Sequence, residues 1–276
     1  MGNQSNNKSS PIFSAHSLQT YVDCPRRYEL GYLEGLVWPA VEREPVLDSE
    51  RFLENGRIFH EMVHRDILGI PVANPKQAEI LEWWQNYLSY QPANIDGSKY
   101  PEKTLVGEVN DHVLTATYDL IVITPEGKAK IYDWKTWRHP ERVKDVELRL
   151  QSRIYPFLLV EQAAAIIPSL KLTPEDVEMV YWLAERPAEP IVINYDQATY
   201  LADKDYLETL VDEVLSTGPG DFLLTEDEKK CKYCTYRSFC DRGDVAGGMD
   251  EEDLVDDADV TVSLIGDLDD YEAIAF

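Results

Sequence analysis

Apolar residues recur along the chain at two spacings, which separates helical from extended segments. Residues 77–90, QAEILEWWQNYLSY, and residues 197–216 have apolar positions at helical spacing, which predicts two helices. Three segments are rich in β-branched and aromatic residues and predict strands: TLVGEV, VLTATYDLIVIT and AKIYDWKTW. TPEGK, residues 124–128, has the composition of a turn and separates the second of these strands from the third.

Two further helices are predicted in the first quarter of the chain. FSAHSLQTYVDCPRRYELGY predicts a helix that begins near Ser14 or Ser17, is interrupted at Cys24–Pro25 and then resumes. GRIFHEMVH, residues 56–64, lies inside a predicted helix that runs to about Leu68. Both segments carry residues with metal-binding side chains.

The rest of the chain continues the alternation of helices and strands. Residues 146–167 predict a helix with a kink at Pro156, because proline lacks the N–H that a helix interior needs. VEMVYWLAE and PIVINY predict two more strands. The order of helix, strands, helix, strands and helix is typical of an α/β domain.

Composition and charge divide the chain into three regions. Residues 1–10 are polar and predicted to be disordered, residues 11–243 form the folded domain, and residues 244–276 form an acidic, flexible tail. No apolar run approaches the roughly 18 residues that span a bilayer, and no apolar signal segment opens the chain, so we expect a cytoplasmic location. The net charge is −25, so any DNA-binding face must be a local basic patch.

Two aspartates are predicted to face each other across the TPEGK turn. With the hairpin centred on Glu126, Asp119 lies opposite Asp133, and directly opposed side chains have Cβ atoms about 4.5–5.5 Å apart. Two carboxylates this close repel each other unless a positive charge lies between them, and Mg²⁺ or Mn²⁺ prefers such oxygen ligands. Lys135 lies two residues beyond Asp133, on the same face. The alternative is an exposed hairpin with ordinary surface charges, which apolar flanking residues disfavour.

GRIFHEMVH also contains H-E-x-x-H, the pattern of zinc peptidases. A peptidase needs a third zinc ligand, and no extended metzincin pattern follows His64. The peptidase hypothesis also leaves the two aspartates, Lys135 and the cysteines without a role. A zinc peptidase is therefore the least favoured function, and His64 is interpreted as a surface or helix-packing histidine.

The chain contains four cysteines, Cys24, Cys231, Cys234 and Cys240. The last three form C-x2-C-x5-C, and the first lies far upstream. Two disulfides are not expected in a cytoplasmic chain, so four thiolates around one metal centre is the preferred interpretation. The spacing does not distinguish structural Zn²⁺ from an iron–sulfur cluster.

Six segments carry, in order, a resemblance to one family: SLQTYVDCPRRYELGY, GRIFH, YDLIV, YDWKT, QSRIY and CKYCTYRSFC. Over roughly residues 13–243 the chain resembles the RecB-like branch of the PD-(D/E)XK nucleases. That branch includes the AddB-type nuclease domain and the CRISPR-associated RecB-like Fe–S exonucleases. The resemblance implies an α/β, restriction-endonuclease-like core with a mixed central sheet flanked by helices. It also implies that a cysteine-ligated cluster joins the N- and C-terminal segments, and it favours [4Fe–4S] over Zn²⁺.

The resemblance further implies a metal-binding and catalytic set. The expected ligands of Mg²⁺ or Mn²⁺ are His60, Asp119, Asp133 and the backbone carbonyl of Trp134. Lys135 is expected to orient or activate the attacking water. Together these residues would hydrolyse a phosphodiester.

Four more residues are expected near this set. Glu108 loosely matches a further acid that some members of the family use in catalysis. Gln151 and Tyr155 match a Q-x-x-x-Y element, and their spacing places both on one helical face, where they contact DNA or steady the active site. Arg153 belongs to a group of basic residues that is expected to form the DNA-binding surface.

The expected function is therefore a DNA exonuclease acting on single-stranded or end-bearing DNA. DNA repair and recombination, or CRISPR adaptation and phage defence, are the expected settings. Three roles are open for the acidic tail: a solubilising segment, a DNA mimic that occupies the basic channel and restrains the nuclease, or a segment that binds a helicase, an integrase or another nucleic-acid-processing protein. No membrane partner is expected. The alternative is a non-catalytic DNA- or partner-binding Fe–S or zinc protein, which the intact D-x-K set disfavours.

Overall fold

The computed structural model describes residues 11–36, 44–90, 95–137, 142–231 and 234–243, and the predicted disordered N-terminus and acidic tail lie outside these ranges. Seven α-helices occur in the described residues: α1 Ala15–Asp23, α2 Pro25–Tyr28, α3 Glu44–Ile67, α4 Ala78–Tyr90, α5 Val143–Leu148, α6 Leu150–Glu161 and α7 Gln197–Ser216. Six strands accompany them: β1 Phe13–Ser14, β2 Ser98–Val109, β3 His112–Ile123, β4 Ala129–Lys135, β5 Val177–Leu183 and β6 Ile191–Asn194. These elements match the predicted alternation of helices and strands.

All six strands form one mixed sheet. β2 pairs antiparallel with β3 along its length, and β4 and the short β1 both pair with β3, β1 in parallel. β4 pairs in parallel with β5, which pairs antiparallel with β6. The prediction of an α/β fold with a mixed sheet flanked by helices is confirmed.

The helices cover the two faces of the sheet and form two apolar clusters. The first cluster packs α1, α6 and α7 against residues such as Ile121 and Ile131. The second packs α3 and α4 against residues such as Leu120 and Val122, and is dominated by aromatic side chains. Adjacent residues of β3 thus point into different clusters, as expected for a strand buried on both faces.

The local signals of the sequence explain where the first helices begin and end. Ser14 caps α1, since its hydroxyl accepts a hydrogen bond from the Ser17 N–H while the Ser17 hydroxyl accepts one from the Ser14 N–H. α1 ends before Cys24, whose backbone is extended at φ −160° and ψ 102° because it precedes a proline. The predicted interruption at Cys24–Pro25 is therefore confirmed.

The predicted helix over residues 146–167 differs from the structure in one respect. The segment divides at Arg149, whose backbone is extended at ψ 143°, whereas Pro156 lies inside the continuous helix α6. Close packing places α6 on the sheet: a Cβ atom at Gly107 of β2 would lie 2.6 Å from Cδ1 of Leu158. The helix boundary is thus set by how α6 docks and not by its proline.

Within the described ranges, no helix combines the length and the apolar character that crossing a membrane requires.

Candidate active site

The two aspartates lie together because of the register of the β3–β4 hairpin. Ile123 pairs with Ala129 and Leu120 with Tyr132, a register centred on Glu126. Asp119 and Asp133 are the next opposed positions, as predicted. Just beyond Leu120–Tyr132, the last residue pair between β3 and β4, Oδ2 of Asp119 accepts a hydrogen bond of 2.8 Å from the backbone N–H of Trp134. The Asp119 side chain therefore contacts β4 where β3 and β4 stop pairing.

His60 reaches these acids from α3 on the other side of Asp119. Its Nδ1 lies 3.3 Å from Oδ1 of Asp119. Burial lowers the pKa of His60, but the Asp119 carboxylate more than offsets this effect and raises the pKa to about 9. Burial raises the pKa of Asp119, but the positive imidazole and the Trp134 N–H bring it below its ordinary value. At neutral pH, His60 and Asp119 therefore form an ion pair.

Asp133 and Lys135 form the second half of the site and are bridged by Gln151 from α6. The Lys135 ammonium lies 3.0 Å from Oδ2 of Asp133 and donates a 2.9 Å hydrogen bond to Oε1 of Gln151. The Gln151 amide donates a 2.6 Å hydrogen bond to Oδ1 of Asp133. We call His60, Asp119, Asp133, Lys135 and Gln151 the acid–lysine site.

Asp133 is the most constrained acid in this site. It is 3% exposed, and burial raises its pKa to about 6, with Lys135 opposing this rise and Asp119 adding to it. Its Oδ2 atom lies 3.0 Å from the Lys135 ammonium, an ion pair that compensates the buried charge. A carboxylate oxygen has more than one lone pair, so the same atom could also accept a cation.

The donor types suit a hard divalent cation, but the structure does not present a ready-made metal site. In the described part of the chain, no three His, Cys, Asp or Glu side chains are grouped so that they could hold a metal ion. Instead, the positive charges of His60 and Lys135 balance the two carboxylates. The oxygen ligands of Asp119 and Asp133 fit Mg²⁺ or Mn²⁺ by chemistry. The predicted metal-ligand set therefore stays a prediction.

The structure places the other predicted site residues in different surroundings. Glu108 is exposed on β2 and pairs with Val113, six residues along β3 from Asp119, or about 20 Å at the usual rise of a strand. It does not reach the acid–lysine site, because the loose match carried no information on position along the strand. The ring of Trp134 packs in the second apolar cluster, while its N–H contacts Asp119.

The two remaining candidates, Tyr155 and Arg153, both lie on α6 but contact different parts of the structure. Tyr155 packs its ring 4.7 Å from that of Tyr118, whose hydroxyl donates a hydrogen bond to the Tyr155 carbonyl. Arg153 makes a 2.9 Å ion pair with the buried Asp203 of α7. Two residues along a helix correspond to about 200° of rotation, so Arg153 points away from the side where Gln151 contacts the acids. Its expected DNA contact is not supported by this arrangement.

Sequence analysis missed an aromatic group that surrounds the lysine. The Lys135 ammonium lies 5.6 Å from the ring centre of Trp137 and 5.7 Å from that of Tyr181. The Arg149 guanidinium lies 4.7 Å from the same Trp137 ring. Trp137 follows Lys135 by two residues in the sequence, as Lys135 follows Asp133, and this period of two was the signal that could have identified it.

The four cysteines come from the two ends of the described chain, Cys24 near its start and the other three near its end. The 2.6 Å ion pair of Lys230 with Asp23 brings the chain neighbours of Cys231 and Cys24 together, but among the described residues the thiols are not grouped so that they could hold a metal ion. Burial, and the neighbouring thiols of Cys24 and Cys231 to a smaller extent, raise the pKa of Cys234 to about 11 and that of Cys240 above its usual value. All four are free thiols. Arg242 donates a 2.9 Å hydrogen bond to Sγ of Cys231. We call these four cysteines and residues 228–231 and 234–243 the four-cysteine region.

Direct polar contacts already join this region and the segment before it to the N-terminal helices. Lys230 makes a 2.6 Å ion pair with Asp23, and the Gly220 N–H donates a 2.6 Å hydrogen bond to the buried Glu29. The Tyr236 hydroxyl donates to the carbonyl of Leu36 at 2.7 Å. The two ends of the domain are therefore in contact, but the predicted cysteine-ligated cluster is not shown among the described residues and stays a prediction.

Comparisons with known proteins give one family match and two solved structures of low sequence identity. Residues 12–241 match the family model described as PD-(D/E)XK nuclease superfamily. The fold is similar to the crystal structure of SSO0001, with 15% identity, a TM-score of 0.42 and coverage of 86% of this chain and 88% of that one. It is also similar to that of a "Putative exonuclease" from Eubacterium rectale, with 13% identity, a TM-score of 0.49 and coverage of 93% and 99%. No curated protein matches the chain.

Proposed function

Because this chain belongs to the PD-(D/E)XK nuclease superfamily, we propose that it is a metal-dependent DNA nuclease of the RecB-like branch. One observation carries the proposal: Gln151 bridges Asp133 and Lys135 of the D-W-K strand, beside the opposed Asp119. This arrangement concentrates acids and a lysine where a phosphodiester can be bound and hydrolysed. We further propose that the substrate is single-stranded or end-bearing DNA and that cleavage proceeds from an end.

The proposed cofactor is Mg²⁺ or Mn²⁺, held by Asp119, Asp133 and His60 with the carbonyl of Trp134. His60 would ligate the ion as the neutral imidazole, so binding would release the proton that its ion pair with Asp119 holds in the absence of metal. Such an ion, when bound, stabilises charge on the phosphoryl oxygens and lowers the pKa of water. The neighbouring carboxylates of Asp119 and Asp133 support this assignment, since they supply the oxygen ligands that a hard divalent cation prefers. Asp119 is held in place by the Trp134 N–H, which fixes one of its oxygens.

Lys135 is the proposed electrostatic catalyst. Its ammonium is 11% exposed, so solvent screens its charge less than it would at the surface. Asp133 and Gln151 fix the ammonium from two directions, so little reorganisation is needed when negative charge develops on the phosphate oxygens. Preorganised charge of this kind is usually a large contribution to catalysis.

The test is degradation of single-stranded DNA labelled separately at each end, with Mn²⁺, Mg²⁺ or EDTA. Lys135→Ala should lower the rate by about 10²–10³-fold. Lys130→Ala is the matched control, because Lys130 lies on the same strand in an ion pair with Glu178. The two labels report polarity, and RNA of the same sequence tests the choice of DNA.

Two results would overturn this assignment. Equal rates for Lys135→Ala and the wild-type protein would refute the proposed catalytic residue. No cleavage by either protein, with DNA binding intact, would favour the non-catalytic binding protein instead. Deleting residues 245–276 in the same assay discriminates between two roles of the acidic tail: autoinhibition by the tail predicts higher activity, whereas recruitment of a nucleic-acid-processing partner predicts unchanged activity on naked DNA.

We also propose that the four cysteines bind a metal centre, [4Fe–4S] or alternatively Zn²⁺. The ion pair between Lys230 and Asp23 supports it, since these two residues are the chain neighbours of Cys231 and Cys24. Four neighbouring thiolates repel unless a cation compensates them. Anaerobic purification followed by iron, acid-labile sulfide and zinc analysis distinguishes the two centres. If iron, sulfide and zinc are each present at well below one equivalent per protein chain, both the iron–sulfur and the zinc proposal are refuted.

A further inference from the structure

Two positively charged side chains contact the indole ring of Trp137, and one of them belongs to the acid–lysine site. Lys135 lies 5.6 Å from its ring centre and Arg149 lies 4.7 Å from it. The two cations are therefore within about 10 Å of each other. The face of an aromatic ring attracts cations through its quadrupole, and such a contact holds a flexible side chain in one orientation.

The indole itself is held firmly. Trp137 is 2% exposed, and its ring stacks on that of Tyr181 at 5.8 Å with an angle of 27°. The Tyr181 hydroxyl is 2.7 Å from the buried hydroxyl of Ser152, which also bonds the carbonyl of Val146 at 2.5 Å. The support under Arg149 and Lys135 therefore reaches from β5 through α6 to α5.

The backbone places Arg149 at the beginning of α6. Arg149 is the extended residue between α5 and α6 and precedes the first turn of α6, where the helix dipole favours negative charge. Gln151, two residues later, contacts both Asp133 and Lys135. The same short segment thus presents a guanidinium and a residue of the acid–lysine site.

These positions point to a substrate contact. We propose that Arg149 binds a phosphate of the substrate strand that flanks the scissile phosphate, and that Trp137 fixes the separation between Arg149 and Lys135. This inference rests on the proposed nuclease function. A guanidinium forms paired hydrogen bonds with phosphate oxygens. Neighbouring phosphates of one strand are separated by a single nucleotide, so a cation within about 10 Å of Lys135 can reach a phosphate next to the one at Lys135.

The binding test uses Arg149→Ala and measures affinity for single-stranded DNA in EDTA, where cleavage does not interfere. We expect affinity to fall about 10-fold, since a hydrogen bond to a charged group is worth roughly that factor. The dependence of log K on log salt should become shallower by about 0.7, the value of one phosphate contact on a single strand. Arg142→Ala is the matched control, because Arg142 is 85% exposed and pairs with Asp145 on the same segment.

A neutral substrate analogue gives the sharper test. DNA with a single methylphosphonate next to the scissile linkage lacks the charge that Arg149 would bind. It should bind the wild-type protein more weakly than unmodified DNA and bind Arg149→Ala equally well with or without the modification. Equal effects of the methylphosphonate on both proteins would overturn the proposal, as would equal affinities of Arg149→Ala and Arg142→Ala.

Two controls separate this inference from the others. Thermal melting shows whether Arg149→Ala is folded, and Arg149→Lys, which keeps the charge but loses the planar pair of donors, should bind DNA with intermediate affinity. Full affinity of Arg149→Lys would refute the paired contact. If the wild-type protein neither binds nor cleaves DNA, the proposed function fails. If it does both and Arg149→Ala matches the control, this inference alone fails.

Discussion

The acid–lysine site and the four-cysteine region are built by different means. The first lies where β3 and β4 separate and is fixed by strand register, with Asp133 and Lys135 on one strand and Gln151 bridging them. The second combines the buried Cys24, between α1 and α2, with three cysteines of the C-terminal segment, two of which lie in the short 3₁₀ turns Glu228–Cys231 and Arg237–Cys240 that contain no buried residue. One is held by the core of the domain, whereas the other is held by polar contacts between the two ends of the chain.

This difference indicates how the structure of each region would respond if a metal were bound or removed. The sheet positions the acids without help, and the charges of His60 and Lys135 already compensate them. The four-cysteine region has little apolar packing of its own, so a metal centre there would contribute directly to folding. We therefore expect changes in the first region to reduce catalysis and changes in the second to reduce stability.

The largest expected effect is that of Asp133→Asn. The amide keeps the shape of the side chain but removes the charge that pairs with Lys135, so the rate of DNA degradation should fall by about 10³-fold. Glu178→Gln on the adjacent strand β5 is the control, because Glu178 pairs with Lys130 outside the site. Cleavage rates from a labelled oligonucleotide measure the effect. A rate within about 10-fold of the wild-type rate would contradict the assignment of Asp133.

Cys231→Ser should have the next largest effect, and on stability. If losing the structural metal lowers the free energy of unfolding by roughly 3–4 kcal/mol, the melting temperature should fall by about 10 °C in a chain of this length. Metal content and melting temperature are measured on the same preparation. Ser238→Ala, in the 3₁₀ turn Arg237–Cys240, should change neither. Full metal content in Cys231→Ser would rule out Cys231 as a ligand.

Gln151→Ala tests whether the bridge, and not the acids alone, sets the rate. The change removes the hydrogen bonds to Asp133 and from Lys135 but leaves both groups present. Loss of a residue that orients a ligand typically costs about 10–100-fold in activity, so a smaller loss than in Asp133→Asn is expected. Gln85→Ala, on the exposed side of α4, is the control. Unchanged kcat in Gln151→Ala would show that Asp133 and Lys135 need no bridge.

The smallest expected effect is that of Tyr118→Phe. It removes the hydroxyl that donates a 2.9 Å hydrogen bond to the carbonyl of Tyr155, which should lower the free energy of unfolding by about 1 kcal/mol. Urea denaturation of both proteins measures the difference. A loss above about 3 kcal/mol would mean that the hydroxyl supports more than this single bond.

Several features of the fold and the site were determined by local sequence. Five residues of turn chemistry at TPEGK set the hairpin register, so the opposition of Asp119 and Asp133 was predictable. The interruption at Cys24–Pro25 was predictable from the proline, and the helix at 197–216 from apolar residues at helical spacing. The six ordered segments also led to the PD-(D/E)XK superfamily, which is confirmed. The RecB-like branch and the metal centres remain proposals.

Other features were decided only by tertiary structure, because they depend on how helices rotate and dock against the sheet. The apolar side of α6, with Ile154 and Leu158 in the first cluster, turns Gln151 toward the acids and Arg153 toward α7. The position of Glu108 along β2 excludes it from the site. Spacing within the sequence gives the face of an element but not the distance to another element. The contact of Arg149 with Trp137 arises from that docking as well.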